Sequence, residues 1–257
     1  MRWSDLNLGC PLTSARDGHY GAYLLGQKDW PLVENIVSGL THALPVPIST
    51  KIRLCNPVKH TLPFAERLVL AGSSWIALHA RSGASTRKRR HGPANLSQVK
   101  LLKECLQVPV ISNGNVRTYG DVLQNLEFTR ADGVMVGETL LGNPCLFAGA
   151  TPDPVQISLE YLEICKQCPE GSVDLEAAKK HVKHFVDFQC SRRTWISKFI
   201  RALTACRTIE EVDKLLRVKT QRWRGKSPLP RDAVDVEEDS EGEKISGDGY
   251  DDLALLV

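Results

Sequence analysis

Apolar residues in the first half of the chain come in short runs. Each run is closed by polar residues or glycine and followed by a stretch with helical spacing. Trp3 to Leu8 alternates apolar and polar side chains, the period of a strand. Gly9 and Pro11 break it, which leaves Cys10 on a loop at the carboxyl end of the run, Ser4–Cys10. Trp30–Ala43 follows as a helix. Ile48–Leu54 reads as a second strand, with Leu62–Ala71 helical after it. Trp75–Ala80 is a third, followed by a helix over Ser97–Cys105. Val108–Ser112 is a fourth, ending in Asn113-Gly114-Asn115, with Tyr119–Leu126 helical. Gly133–Val136 is a fifth, ending in Gly137-Glu138, with a short helical turn near Asn143–Phe147.

Strands alternating with helices predict βαβ units and a parallel sheet. A repeat of about 25–45 residues is that of a (β/α)8 barrel. Five units are three short of eight. At about 30 residues per unit, some 90 further residues of strand–helix repeat would precede this chain. The expected fold is therefore α/β: an incomplete TIM barrel of about five βα units, the C-terminal part of a longer one.

Past Pro152 the period changes. Val155–Lys166, Leu175–Phe188, Trp195–Thr204 and Ile209–Arg222 read as amphipathic helices, with Asp174 and Thr208 as N-caps. Residues 1–150 are thus expected to form the barrel part and 151–225 a small all-α domain. Residues 226–257 have two prolines, many acids and few apolar groups, and are expected to be a disordered acidic tail.

The net charge of +3 hides an asymmetry. Residues 226–257 carry ten acids and three bases, so residues 1–225 carry +10. A basic body suits a polyanionic partner. The helical part concentrates Lys179, Lys180, His181, Lys183, His184, Arg192, Arg193, Lys198, Arg201 and Arg207, with Trp195 and Trp223 among them. Basic side chains interleaved with aromatics can grip a phosphate backbone and stack bases. A second basic run, Arg87–His91, falls in the loop after the third strand. The eight cysteines show no disulfide-like spacing, which points to free thiols in a reducing compartment. Cys165-Lys166-Gln167-Cys168 is a lone CxxC without further ligands at metal spacing, so no metal site is expected. No run of about 18 apolar residues occurs, so neither is a membrane span.

Chemistry in such barrels sits at the carboxyl ends of the strands. Here each end carries polar groups: Asn7 and Cys10, Lys51 and Arg53, His79 and Arg81, Asn113 to Asn115, Gly137 and Glu138. A packed strand has no need of a Lys or His there, and burying one unpaired is costly. The last two loops, glycine-bearing and followed by a helix start, have the form in which barrels hold a phosphate. A cofactor with a phosphate tail is therefore expected.

Together these residues resemble the tRNA-dihydrouridine synthases over roughly residues 4–225. The pieces are Asn7-Leu8-Gly9-Cys10-Pro11, Arg16-Asp17-Gly18-His19-Tyr20-Gly21-Ala22, Lys51-Ile52-Arg53, His79-Ala80-Arg81, Asn113-Gly114-Asn115, and Gly133 to Glu138 with Asn143-Pro144. Gly-His-Tyr-Gly-Ala is similar to the eukaryotic branch acting on D-loop uridines 16 and 17. The resemblance implies an FMN enzyme that uses NADPH to reduce the uracil C5–C6 bond in tRNA. It implies that Cys10 protonates C5 as hydride reaches C6 from the flavin. Lys51 would lie beside the flavin ring and His79 against the flavin or its phosphate region. Asn113, Gly114, Asn115, Gly137 and Glu138 would bind the ribityl chain and phosphate. Asn7 and Arg81 would face the uracil or its nucleotide, and the helical domain would hold tRNA. A cytoplasmic location, with the nucleus as a second compartment, goes with that substrate. The chain departs from the family pattern at Ala80, usually glycine, and at Glu138, where many relatives have Arg. Two rival readings are an RNA-binding fragment without catalysis, and a barrel using FMN or another phosphate ligand on a small metabolite.

Overall fold

The computed structural model of the protein describes residues 3–82, 92–169 and 171–230. The basic run Arg87–His91 and the acidic stretch after Pro230 lie outside the described residues. Five strands form one parallel sheet in sequential order: β1 (Ser4–Leu8), β2 (Ile48–Leu54), β3 (Ile76–Ser82), β4 (Val110–Asn113) and β5 (Gly133–Met135). The crossovers carry helices α1 (Thr13–Asp17) and α2 (Trp30–Ala43), then α3 (Thr61–Leu70), α4 (Leu96–Cys105) and α5 (Tyr119–Thr129). This is the βα repeat of a TIM barrel. Among the described residues the sheet stays open, with β1 and β5 as its two edges.

Pleating sends alternate side chains to opposite faces. Ile52 and Leu78 on one face are fully buried and join Leu8, Phe64, Leu68, Val99 and Leu102 in the main core between sheet and helices. Lys51, Arg53 and His79, on the other face, are only half-buried. The binary pattern at the end of β2 therefore does two jobs: Ile52 and Leu54 build the core, and Lys51 and Arg53 are left for chemistry. α5 is held by a capping box, in which the Thr118 hydroxyl accepts from the Asp121 N–H and the Asp121 carboxylate accepts from the Thr118 N–H.

The turn expected near Asn143–Phe147 is displaced. The helix after β5 is α6 (Glu138–Gly142), and a 3-10 turn covers Leu146–Ala148. Gly142 closes α6, and Asn143, which follows it, is buried. The Asn143 amide donates to Ala150 O and accepts from the Cys145 N–H, so its side chain bridges the two turns.

The C-terminal part is all helical: α7 (Pro154–Gln167), α8 (Leu175–Cys190), α9 (Ile196–Ala205), α10 (Ile209–Lys214) and α11 (Gln221–Trp223). A π-helical stretch over Leu215–Thr220 joins the last two. Asp174 and Thr208 cap α8 and α10 through their side-chain oxygens, as the sequence predicts. Asp153 caps α7 and is clamped by Arg224, whose Nη1 lies 2.9 Å from Oδ1. A second core of Val155, Leu162, Val182, Val186, Phe199 and Leu216 holds the helices together.

Three expectations about this part are corrected. Lys179 is not on a solvated basic face. It is 7% exposed and donates to Thr204 O and Cys206 O, neutralising the end of α9. Trp195 and Trp223 are half-buried against the helical core, so part of each ring is taken up by packing. Residues 226–230, expected within the tail, lie against the helices: Leu229 N donates to Arg217 O, and Arg217 donates to Pro230 O.

Candidate active site

Parallel register sets the site. Arg53, His79, Asn113 and Met135 fall side by side across four strands. Asn7 stands beside Lys51 two residues earlier on the same face. The β2–β3 register shifts after Arg53, so that Leu54 pairs with Ser82 instead of Ala80. Such a bulge bends a strand and re-aims the side chains next to it.

The Cys10 loop is built onto this row. The Gly9 N–H donates to Asn7 Oδ1 at 3.0 Å, and Gly9 O accepts from Arg53 Nε at 2.8 Å. A methyl group on Gly9 would lie 3.3 Å from Lys51 Nζ, so the ammonium sits directly over the residue before Cys10. Cys10 O accepts from the Ala22 N–H at 3.0 Å, and Pro11 O from the Tyr23 hydroxyl. Cys10 itself is half-buried.

The electrostatics are one-sided. Burial, then Arg53, Lys51 and Arg81, push the His79 imidazole down to about 3. It is therefore neutral at physiological pH, a hydrogen-bonding group rather than a fourth cation. Burial, then Arg53, lower the Lys51 ammonium from its ordinary value, with Asp5 opposing. Lys51, Arg53 and Arg81 outnumber Asp5 around His79, and such a surplus of cations favours an anionic ligand.

A cavity of about 640 Å³ opens beside them, within the roughly 300–1,000 Å³ range of ligand pockets. Its walls include Arg81, Asn115, Arg117 and Gly137 from the barrel loops and His184 and Phe188 from α8. The helical part thus closes one side of the site. Arg81 Nε is buried with no acceptor among the described residues, an orphan donor at the cavity wall. This donor and the neighbouring cations suit a phosphate-bearing cofactor, while Glu138 and Asp187 add two opposing carboxylates to the lining.

The asparagines here are largely committed to the protein itself. Asn113 Nδ2 donates to Met135 O at 2.7 Å, tying β4 to β5. Asn115 Oδ1 accepts from Arg81 Nη2 and the Ala94 N–H, and its Nδ2 returns a bond to Ala94 O. Between them Gly114 has φ +128° and lies so close to Ala94 that a Cβ would approach its methyl to 2.7 Å. Only glycine fits that turn. At Gly137 an added Cβ meets nothing within 4 Å, so the backbone is open to the cavity.

Of the ten residues singled out from the sequence, Lys51 and His79 sit at the middle of β2 and β3, and the other eight lie toward the carboxyl ends of the strands or just after them. His79, Arg81, Asn113, Gly114, Asn115, Gly137 and Glu138 line the cavity; Asn7, Cys10 and Lys51 form the neighbouring mouth. Sequence reasoning gave Arg53 no role, although the Lys51-x-Arg53 alternation was enough to put it on the same face. It also missed Asp187, Phe188 and Ser191, for which no local signal exists because they reach the cavity from another element.

A family model described as dihydrouridine synthase (Dus) matches residues 3–229. A mouse (Mus musculus) protein named tRNA-dihydrouridine(16/17) synthase, NAD(P)(+)-like, is 36% identical over 169 residues, 64% of this chain and 34% of the relative. A Saccharomyces cerevisiae protein named tRNA-dihydrouridine(16/17) synthase is 31% identical over 217 residues, 80% of this chain and 51% of its own length. A human protein named as a tRNA-dihydrouridine(20a/20b) synthase-like protein is 33% identical over 163 residues, covering 62% and 50%. The chain thus spans a third to a half of the curated relatives it matches.

Proposed function

Because this chain belongs to the dihydrouridine synthase family, we propose that it serves the reduction of a uridine in tRNA to dihydrouridine, with FMN as bound cofactor and NADPH as reductant. When bound, the flavin supplies the hydride for the uracil ring. The observation that carries the reading is the convergence of Cys10, Lys51, neutral His79 and Arg81 beside a cavity into which Arg81 brings an unpartnered N–H.

In this reading Lys51 and His79 hold the cofactor ring: the ammonium favours negative charge on it, and the uncharged imidazole offers a hydrogen bond. Asn113, Gly114, Asn115, Gly137 and Glu138 shape the phosphate and ribityl end, the asparagines through the turn they fix. Cys10 gives its proton to uracil C5, since saturating a double bond requires a proton donor as well as hydride. Asn7 and Arg81 orient the nucleotide. The exposed bases of α8 and α9, among them Lys180, Lys183, Lys198 and Arg201, bind the tRNA backbone. No helix among the described residues is long and apolar enough to cross a membrane. The proposed location is the cytoplasm, with the nucleus as a second compartment.

Flavin absorbance after incubation with FMN, together with dihydrouridine formation on an unmodified tRNA transcript, tests the proposal. The expected result is a yellow protein whose activity disappears in Cys10→Ala while FMN stays bound. A colourless chain that still binds tRNA in a salt-dependent way would support the rival RNA-binding reading.

A further inference from the structure

We infer that Arg53 is a positioning residue for Cys10: it clasps the backbone of the cysteine loop to the end of β3 and so sets the direction of the thiol. The inference rests on the reading of Cys10 as the proton donor.

The peptide plane is the unit of the argument. Gly9 O and Cys10 N belong to one planar group, so fixing the oxygen fixes how the chain enters Cys10. Arg53 Nε holds that oxygen at 2.8 Å across 44 residues of sequence. The other side of the same glycine is held by Asn7 Oδ1. The plane after Cys10 is held as well, because its carbonyl accepts from the Ala22 N–H. With both flanking planes pinned, the side-chain torsion is the main soft degree of freedom left to the sulfur.

Arg53 is itself fixed at its far end. Its Nη1 donates to Ser82 O at 3.3 Å. The β2–β3 bulge brings that carbonyl opposite Leu54, next to Arg53; regular pairing would put Ala80 there. The carbonyl of the cysteine loop and the last carbonyl of β3 are thus bridged by one rigid fork, a task for which Arg is pre-organised and Lys is not. Gly9, lying under Lys51 and beside the Arg53 stem, is buried, so water does not replace the lost donor easily.

The test is the rate at which iodoacetamide alkylates Cys10, resolved from the other cysteines by mass spectrometry, in the full chain and in Arg53→Lys. Lysine keeps the charge and the stem but not the fork. The expected result is a rise of about threefold to tenfold at Cys10, the factor that loss of one net hydrogen bond carries. Amide exchange at Ala22 should accelerate in parallel. Alkylation of half-buried Cys145 and buried Cys55 should not change, which a general loosening would not spare. A wild-type Cys10 rate and wild-type Ala22 exchange in a folded Arg53→Lys chain would overturn the inference. If Arg53→Lys exposes Cys55, Arg53→Gln is read in the same way. Exposure of Cys55 in both also overturns it, since Arg53 would then determine the fold and not the loop. The measurement needs neither flavin nor tRNA, so its outcome and that of the FMN experiment are independent.

Discussion

Gly21 lies with its Cα against the backbone of Cys10. A methyl group at Gly21 would come within 2.8 Å of the Cys10 carbonyl oxygen and 2.9 Å of its Cβ, and Gly21 has φ +61°. The tight turn of residues 18–22, 11 residues downstream of the cysteine at Gly21, is therefore the outer wall of the thiol's loop. The Gly-His-Tyr-Gly-Ala wording owes its second glycine to this contact.

Gly21→Ala should be destabilising on two counts: the left-handed backbone, at about 1–2 kcal/mol, and the clash with Cys10. Denaturant unfolding should show a lower midpoint. Cys10 should become more reactive toward a thiol reagent than in the wild-type chain, because the displaced turn no longer shields it. An unchanged midpoint would mean that the turn is not packed as described.

The His79 imidazole makes stability depend on pH. Its folded value of about 3 lies below the ordinary 6.5, so the unfolded chain takes up a proton first as pH falls. The contribution is fully present above about 6.5 and is lost progressively toward 3. The denaturant midpoint should therefore fall between pH 7.5 and pH 5. Part of that fall should be missing in His79→Gln, which keeps hydrogen bonding but cannot titrate. Equal pH slopes in the two chains would contradict the burial and cationic surroundings assigned to this residue.

Gly142 is the contact that lets the helical part close the cavity. A Cβ there would lie 2.6 Å from the Phe188 Cβ. Gly142→Ala should push α6 from α8 at a cost of about 1–3 kcal/mol, the usual range for overpacking. Because His184 and Phe188 are part of the cavity wall, FMN affinity should fall with stability. Thermal unfolding with and without FMN measures both.

Lys179 and its exposed neighbours should separate cleanly. Lys179→Met strands the buried Cys206 carbonyl, removes a donor from Thr204 O and breaks the ion pair with Glu176, and should cost about 1–3 kcal/mol of stability, with the salt dependence of tRNA binding unchanged. Lys183→Ala and Lys198→Ala should leave stability nearly unaltered. Each should weaken tRNA binding and reduce the slope of log affinity against log salt by about one. Salt titrations of the three variants decide it.

The βα order and the residue content of the site are determined by the sequence alone. Short apolar runs closed by polar residues or glycine identify each strand, and the polar residues within and after them mark the face where chemistry belongs, because a packed strand does not require Lys51 or His79. Helix caps at Asp174 and Thr208 are equally local, each a side-chain oxygen answering the helix's own first N–H groups. Tertiary structure alone decides which polar groups serve one another. Register and the bulge after Arg53 bring its guanidinium to Gly9 O, 44 residues away. Folding of α8 onto α6 adds His184 and Phe188 to the cavity, and Lys179 is turned from a surface base into a buried cap on Thr204 O and Cys206 O. The division has a physical cause: propensity and period act over a few residues, whereas desolvation and hydrogen-bond satisfaction are settled only when distant segments compete for the same water-free space.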